Sequence, residues 1–148
     1  YGREQLSLYS DIDIMIVYRE IKGYNLKEII ETFITMLWDL GLEIGHRVHK
    51  VDELLEVSRK DIMIKTPILE SRYIFGSKYL WVEVENELKK IRLDNQKEFV
   101  LARYNRMKEY HKKFPLSMEP DIKRGFGGMR DANTLFWIAK VIYGVNNN

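Results

Sequence analysis

"YSDIDIMIVY", residues 9–18, decides how the chain is read. Apart from its two aspartates, every residue from Ile12 to Val17 is Ile, Met or Val, the composition of a buried strand. Side chains alternate across a strand, so Asp11, Asp13, Met15 and Val17 point one way while Ile12, Ile14 and Ile16 point the other. The two carboxylates therefore share a face, roughly 6 to 7 Å of rise apart. Two unit charges brought to 4 Å repel by about 4 kcal/mol at an effective dielectric near 20, so such a pair calls for a cation, and magnesium is the first candidate. By itself the pattern also suits a solvated strand edge or a turn cap.

Composition narrows the classes. At 148 residues, 45% hydrophobic and 31% charged, the chain is long enough for one core with a helical appendage. A formal net charge of +2 is too small to argue for a nucleic-acid or membrane partner by bulk electrostatics. The absence of cysteine removes disulfides and thiolate metal sites and suits a reducing, cytoplasmic setting. No apolar run approaches the ~20 residues a bilayer span needs. Tyr1-Gly2-Arg3 runs almost at once into the strand and Asn146-Asn147-Asn148 stops after a helix, so a fragment of a longer protein is expected.

Outward from the strand, Asn25 followed by Glu28 forms a capping-box-like start, and Leu26, Ile29, Ile30, Phe33, Leu37 and Leu40 recur at helical spacing up to Gly41. Residues 42–48, "LEIGHRV", read as a second strand and "VDELLEVS" as a short helix. In "TPILESRYIFG", Ile68, Glu70, Arg72 and Ile74 alternate with Leu69, Ser71, Tyr73 and Phe75, which predicts a third strand ended by Gly76 and Ser77. Helices are expected over 77–93, with Leu80, Val84, Leu88 and Ile91 as the stripe, and over 95–114, closed by Pro115. A glycine-rich loop, 115–130, leads to a last helix near Asp131 that buries Leu135, Phe136, Ile138, Ala139 and Ile142. Strands mixed with helices, then helices alone, give an α+β core, residues 1–76, followed by a helical part, 77–148, packed on it.

Glu70 inside that apolar strand needs a partner, because a buried lone carboxylate is costly. Arg72 on the same face supplies one reading, an edge ion pair. The other makes Glu70 a third carboxylate beside Asp11 and Asp13, a set suited to a hard octahedral ion that also takes substrate phosphates. In the loop, Gly125, Gly127 and Gly128 permit close backbone approach, and Lys123, Arg124 and Arg130 can meet phosphates; equally, the loop can serve only to enter the helix, with Asp131 as N-cap. His46 and His49 are three apart and so on opposite strand faces, and no cysteine or nearby His completes a zinc set, so His46 reads as structural ahead of a substrate contact. His111, near a helix end, reads as solvated or dipole-stabilised. Trp38, Trp81 and Trp137 sit on or beside apolar stripes and read as core.

"YGREQLSLYSDIDIMIVY" resembles the nucleotidyltransferase signature of the polymerase-β-like superfamily, in the version found in the bifunctional uridylyltransferase/uridylyl-removing enzymes. Tyr1, Gly2, Arg3, Ser10, Asp11 and Asp13 match; the family's preceding glycine pair does not appear. "FITMLWDLGLEIGHRVHKVDE" is similar to the family's tryptophan-aspartate helix and the strand after it, "TPILESRYIFG" to its Leu-(Glu/Asp)-x-Arg strand, and "EPDIKRGFGGMRDANTLFWIAK" to its later glycine-rich segment. Asp121 stands where Asn is usual and Phe126 where Pro is typical. The resemblance implies a small mixed sheet flanked by helices and transfer of UMP from UTP to a tyrosine hydroxyl of a PII-type regulatory protein, with release of pyrophosphate. It implies that Asp11, Asp13 and Glu70 hold Mg2+, or Mn2+, and act in catalysis, and that Gly2, Ser10, Lys123 and Arg130 face the nucleotide. An adenylyltransferase of the same fold and a non-catalytic nucleotide-binding module are the alternatives.

Overall fold

Strand β1, Ile12–Tyr18, pairs in parallel with β2, Ile44–Lys50, in a register that sets Ile12 against Ile44, Asp13 against Gly45 and Tyr18 against Lys50. The computed structural model describes residues 11–115 and 118–144. Parallel strands need a crossover, and helix α1, Leu26–Asp39, supplies it. Its start is the expected one: the Asn25 side chain accepts from the Glu28 N–H, and the Glu28 carboxylate accepts from the Asn25 amide at 3.0 Å. Gly41, at φ +75°, turns the chain into β2.

The apolar stripe of α1 is only half used. Ile34 is buried and Leu26, Ile30 and Leu37 are half-buried, whereas Ile29, Phe33 and Leu40 are exposed. The strand residues Ile12 and Ile14 to Tyr18 are likewise half-buried rather than fully enclosed. The two-stranded sheet is too narrow to cover a helix face about 100° wide on one side and fill a core on the other.

That core lies on the opposite side of the sheet. Met15 and Val17 pack against a cluster of Val51, Leu54, Ile68, Leu69, Val84, Ile91, Phe99 and Val141. Val51 opens a 3-10 turn, Val51–Glu53, that continues into α2, Leu54–Lys60. From α4, Lys78–Leu93, Val84 and Ile91 enter the core with Leu80 and Leu88 beside them, as the spacing predicts, and the Ser77 hydroxyl caps the helix by accepting from the Leu80 N–H. Asn95, at φ +46°, makes the left-handed turn into α5, Gln96–Lys113, whose Phe99 is fully buried.

Two expectations fail. The third strand is instead a short helix, α3, Lys65–Leu69; Glu70 caps its C-terminus at φ −87° and ψ −3°, and residues 71–74 have no regular structure. Pro67 fits in a first turn, where no intrahelical N–H bond is lost. The adjacent Ile68 and Leu69 both enter the core, which a strand with one buried face cannot achieve. Among the described residues the sheet is therefore two parallel strands, not a mixed sheet. In the last helix, α6, Met129–Tyr143, the predicted face is also wrong: Leu135, Phe136 and Ile142 are exposed and Ile138 and Ala139 half-buried, while Thr134 and Val141 are buried and Trp137 packs against the core. Residues 130, 134, 137 and 141 form the inward stripe, and it begins with a charge, an hydroxyl and an indole that an apolar pattern does not register.

Candidate functional site

Asp11 and Asp13 stand at the entry to β1 with both side chains exposed. Met15 and Val17, which share their face, pack on the core, so the carboxylates sit where that face emerges into solvent. The Asp13 carboxylate lies over Gly45 on the neighbouring strand: a Cβ added to Gly45 would stand 2.5 Å from Asp13 Oδ1. Glycine at that position leaves the carboxylate its place. The donor set fits a hard divalent cation that takes one or two carboxylates and leaves its remaining positions to water and phosphate oxygens.

Glu70 does not join them in the structure. Its Oε1 accepts from Lys140 Nζ at 3.2 Å, an ion pair in which both side chains are about four-fifths buried (18% and 20% exposed). Among the described residues no three His, Asp or Glu side chains are close enough to hold a metal ion together. Gly2 and Ser10 lie outside the described residues.

The glycine-rich loop spends its amides on itself. The Asp121 carboxylate accepts from the Lys123 and Arg124 N–H groups, Gly125 N–H donates to the Asp121 carbonyl, and Met129 and Arg130 N–H donate back to Ile122 and Lys123. A Cβ on Gly125 would meet the Asp121 carbonyl at 2.8 Å, and one on Gly128 would meet the Ile122 carbonyl at 2.8 Å. These glycines are required by the loop's own close packing, and the N–H groups so engaged are not available to a phosphate. Lys123 is exposed. Arg130 instead donates to the Tyr110 hydroxyl at 2.8 Å and lies 4.8 Å from that ring's centre, with its Nε buried and without a partner among the described residues.

Two arrangements escaped the sequence reading. His111 is not solvated: its Nε2 lies 2.8 Å from Asp131 Oδ2, and its ring stacks on Phe126 with centroids 4.0 Å apart. Asp131 is the third residue of α6, not its N-cap, which is Gly128; from there its carboxylate also accepts from Gly127 N–H at 2.9 Å. A histidine and an aspartate twenty residues apart carry no local signal of pairing. The second is Arg103, only 8% exposed, whose guanidinium stacks 4.6 Å from the Trp137 ring centre and donates to the Thr66 hydroxyl. Burial pulls its pKa down to about 10. Arg103 shares a basic helix with Arg106 and several lysines, and the pattern does not tell which of these cations points inward. His46 is exposed, its ring edge-on to Trp38 at 5.6 Å, and Trp38 is half-exposed rather than core. Trp81, by contrast, packs on the core.

Comparison with known proteins follows the same lines. The GlnD PII-uridylyltransferase family profile matches residues 98–148, the segment carrying α5, the glycine-rich loop and α6. The bifunctional uridylyltransferase/uridylyl-removing enzyme of Pseudomonas entomophila (strain L48) is 38% identical over 99% of this chain and 17% of its own length. Those of Azospirillum brasilense and Phenylobacterium zucineum (strain HLK1) are 37% and 40% identical over 99% and 97% of the chain, each across 16% of the relative. The chain thus spans about one-sixth of the curated relatives it matches. No solved structure matches it. Among the described residues no helix is long and apolar enough to cross a membrane. Similarity at this level, along nearly the whole chain, makes it a region homologous to part of the bifunctional uridylyltransferase/uridylyl-removing enzymes.

Proposed function

We propose that this region contributes the nucleotide-binding wall of a metal-dependent nucleotidyltransferase that transfers UMP from UTP to a hydroxyl of a PII-type protein. The observation that carries the reading is the exposed Asp11 and Asp13 pair on one strand face, with Gly45 keeping room for the Asp13 carboxylate. In this reading the two carboxylates hold Mg2+, or Mn2+, together with the triphosphate. A bound divalent cation there supplies neutralisation of phosphate charge, worth several kcal/mol in the transition state of such a displacement. Asp11 and Asp13 fix the position of that charge on a strand whose later residues are anchored in the core, so the phosphates are oriented by a rigid element. Lys123, exposed in the loop, is available to a phosphate; Arg130, turned onto Tyr110, orders the loop behind it. Glu70 enters as a third carboxylate only on leaving Lys140.

The acceptor and the base rest on the relatives' printed names and on the family description. Equilibrium binding of UTP and ATP to the chain, each with and without Mg2+, tests the reading. It requires Mg2+-dependent binding that favours UTP and is lost in Asp13→Asn. Equal binding with and without Mg2+ would overturn it, and a preference for ATP would move it to an adenylyltransferase.

A further inference from the structure

The sheet face that carries Asp11 and Asp13 is completed by the neighbouring strand. In the parallel register Asp13 lies beside Gly45, Met15 beside Arg47 and Val17 beside His49, and paired residues of adjacent strands share a face. Asp11, Asp13, Gly45 and Arg47 are all exposed, whereas Met15 and Val17 pack on the core and His49 is half-buried. This end of the face is therefore open to a solute. Arg47 stands one diagonal step from Asp13, roughly 8 Å between backbones, a span that a long side chain crosses. No side chain of β2 rises between them, because the residue there is Gly45, and Asp13 Oδ1 leans over it toward β2. Among the described residues Asp11, Asp13 and Arg47 form no ion pair and no side-chain hydrogen bond, so neither aspartate captures the guanidinium. His49, next along that face of β2, has its pKa lowered by burial and then by the Arg47 charge, so it stays neutral near neutral pH and Arg47 is the cation of the face.

We propose that Arg47 binds the phosphate tail of the nucleotide, donating to triphosphate oxygens that a divalent cation at Asp11 and Asp13 leaves uncovered. The inference rests on the nucleotide reading of the two aspartates and adds to it a donor on the second strand. A divalent cation held by Asp11 and Asp13 and a guanidinium beside it repel each other unless an anion lies between them. A triphosphate is such an anion, since it carries more negative charge than one divalent cation neutralises. The guanidinium presents a planar fork of N–H donors and no acceptor, which suits two oxygens of one phosphate and not the donor edge of a base. Arg47 is thus a substrate-contacting residue, and its removal should spare the metal while loosening the phosphates.

The test is equilibrium binding to the 148-residue chain at constant ionic strength. Calorimetry reads UTP and pyrophosphate, each with Mg2+, and electron paramagnetic resonance reads Mn2+ alone. Arg47→Met should weaken Mg2+-dependent binding of both UTP and pyrophosphate at least about ten-fold. Its Mn2+ affinity should stay equal or rise, because a neighbouring positive charge is gone. Arg47→Lys, which keeps the charge and loses the fork, should fall between the two. Lys97→Met, the same change of net charge at an exposed position on α5, should leave UTP affinity unchanged. If Arg47→Met does not fold, judged by its amide dispersion, Arg47→Gln is read by the same criterion. Unchanged UTP affinity in the folded variant, where wild-type binding needs Mg2+ and is lost in Asp13→Asn, overturns the role of Arg47 and leaves the nucleotide reading standing. A ten-fold loss of Mn2+ affinity in Arg47→Met would make Arg47 a support for the aspartates, and an equal loss of UTP affinity in Lys97→Met would make the effect one of net charge; either overturns the contact. Absence of Mg2+-dependent binding in the wild type overturns the nucleotide reading itself, and the role of Arg47 with it.

Discussion

Lys140 Nζ stands 3.2 Å from Glu70 Oε1, and this contact fastens the last helix to the end of α3, seventy residues earlier. Both side chains are mostly buried, so the pair is less screened than a surface ion pair. Lys140→Met, Glu70→Gln and the double variant should show a coupling energy of about 0.5 to 3 kcal/mol in urea unfolding. A coupling indistinguishable from zero would mean that the pair adds nothing to the docking of the two helices, which then rests on the apolar core that both enter.

Removing one of two neighbouring carboxylates relieves repulsion, so Asp11→Asn and Asp13→Asn should leave thermal stability equal or higher. The same variants should weaken Mn2+ binding at least about ten-fold, since a hard cation loses one of its two protein charges. Electron paramagnetic resonance of free Mn2+ gives the affinity and a thermal melt of the same sample gives the stability. Destabilised variants with unchanged metal affinity would make the aspartates structural.

The loop glycines separate steric need from conformational need. At Gly127 a Cβ meets nothing within 4 Å, so Gly127→Ala costs only the left-handed backbone at φ +71°, about 1 to 2 kcal/mol. Gly128 has an ordinary φ of −73°, yet its Cβ would meet two backbone carbonyls, of Ile122 at 2.8 Å and of Gly125 at 2.9 Å. Gly128→Ala should therefore be the more damaging, because carbonyls that accept from Met129 and Gly128 N–H cannot move without losing those bonds. Hydrogen exchange at Met129 and Arg130 should accelerate in Gly128→Ala and stay near wild type in Gly127→Ala. The reverse order would contradict the packing of the loop.

The elements that carry their own punctuation were legible. Asn25 and Glu28 at one helix start, Ser77 at another and Gly41 at a turn each fix a boundary through bonds within four residues, and the structure forms those bonds. What escaped depends on distant partners. Residues 68–75 alternate well enough for a strand, but alternation over eight residues cannot reveal that Ile68 and Leu69 face one core from a single helical turn. In α6 the apolar Leu135, Phe136 and Ile142 are exposed because the inward positions are matched to α5: Trp137 to Arg103, Arg130 to Tyr110, Asp131 to His111. A pattern that scores hydrophobicity cannot see a seam built from cation–π and hydrogen-bonded pairs. The Asp11 and Asp13 pair was legible from strand period alone, whereas the Lys140 partner of Glu70 was not.

Arg59 and Asp94 form a two-pronged pair, Nε to Oδ2 at 3.0 Å and an Nη to Oδ1 at 2.9 Å, which joins the end of α2 to the end of α4. The hydrogen bonds from Arg59, with its charge, hold the Asp94 carboxyl below its ordinary value near 3.8. A depressed folded-state pKa means that the unfolded chain binds the proton more readily. The pair's contribution is therefore fully present above about pH 4 and is lost as pH falls from there through the lowered folded value. Arg59→Met should accordingly be less stable than the wild type near neutrality, with the difference constant down to about pH 5 and shrinking toward zero by about pH 2 to 3. Because Arg59 is half-exposed, molar salt should shrink the neutral-pH difference as well. Urea unfolding midpoints of both proteins along that pH series decide it: a difference that persists unchanged at the acid end would assign the effect of the variant to lost side-chain packing, not to the ion pair.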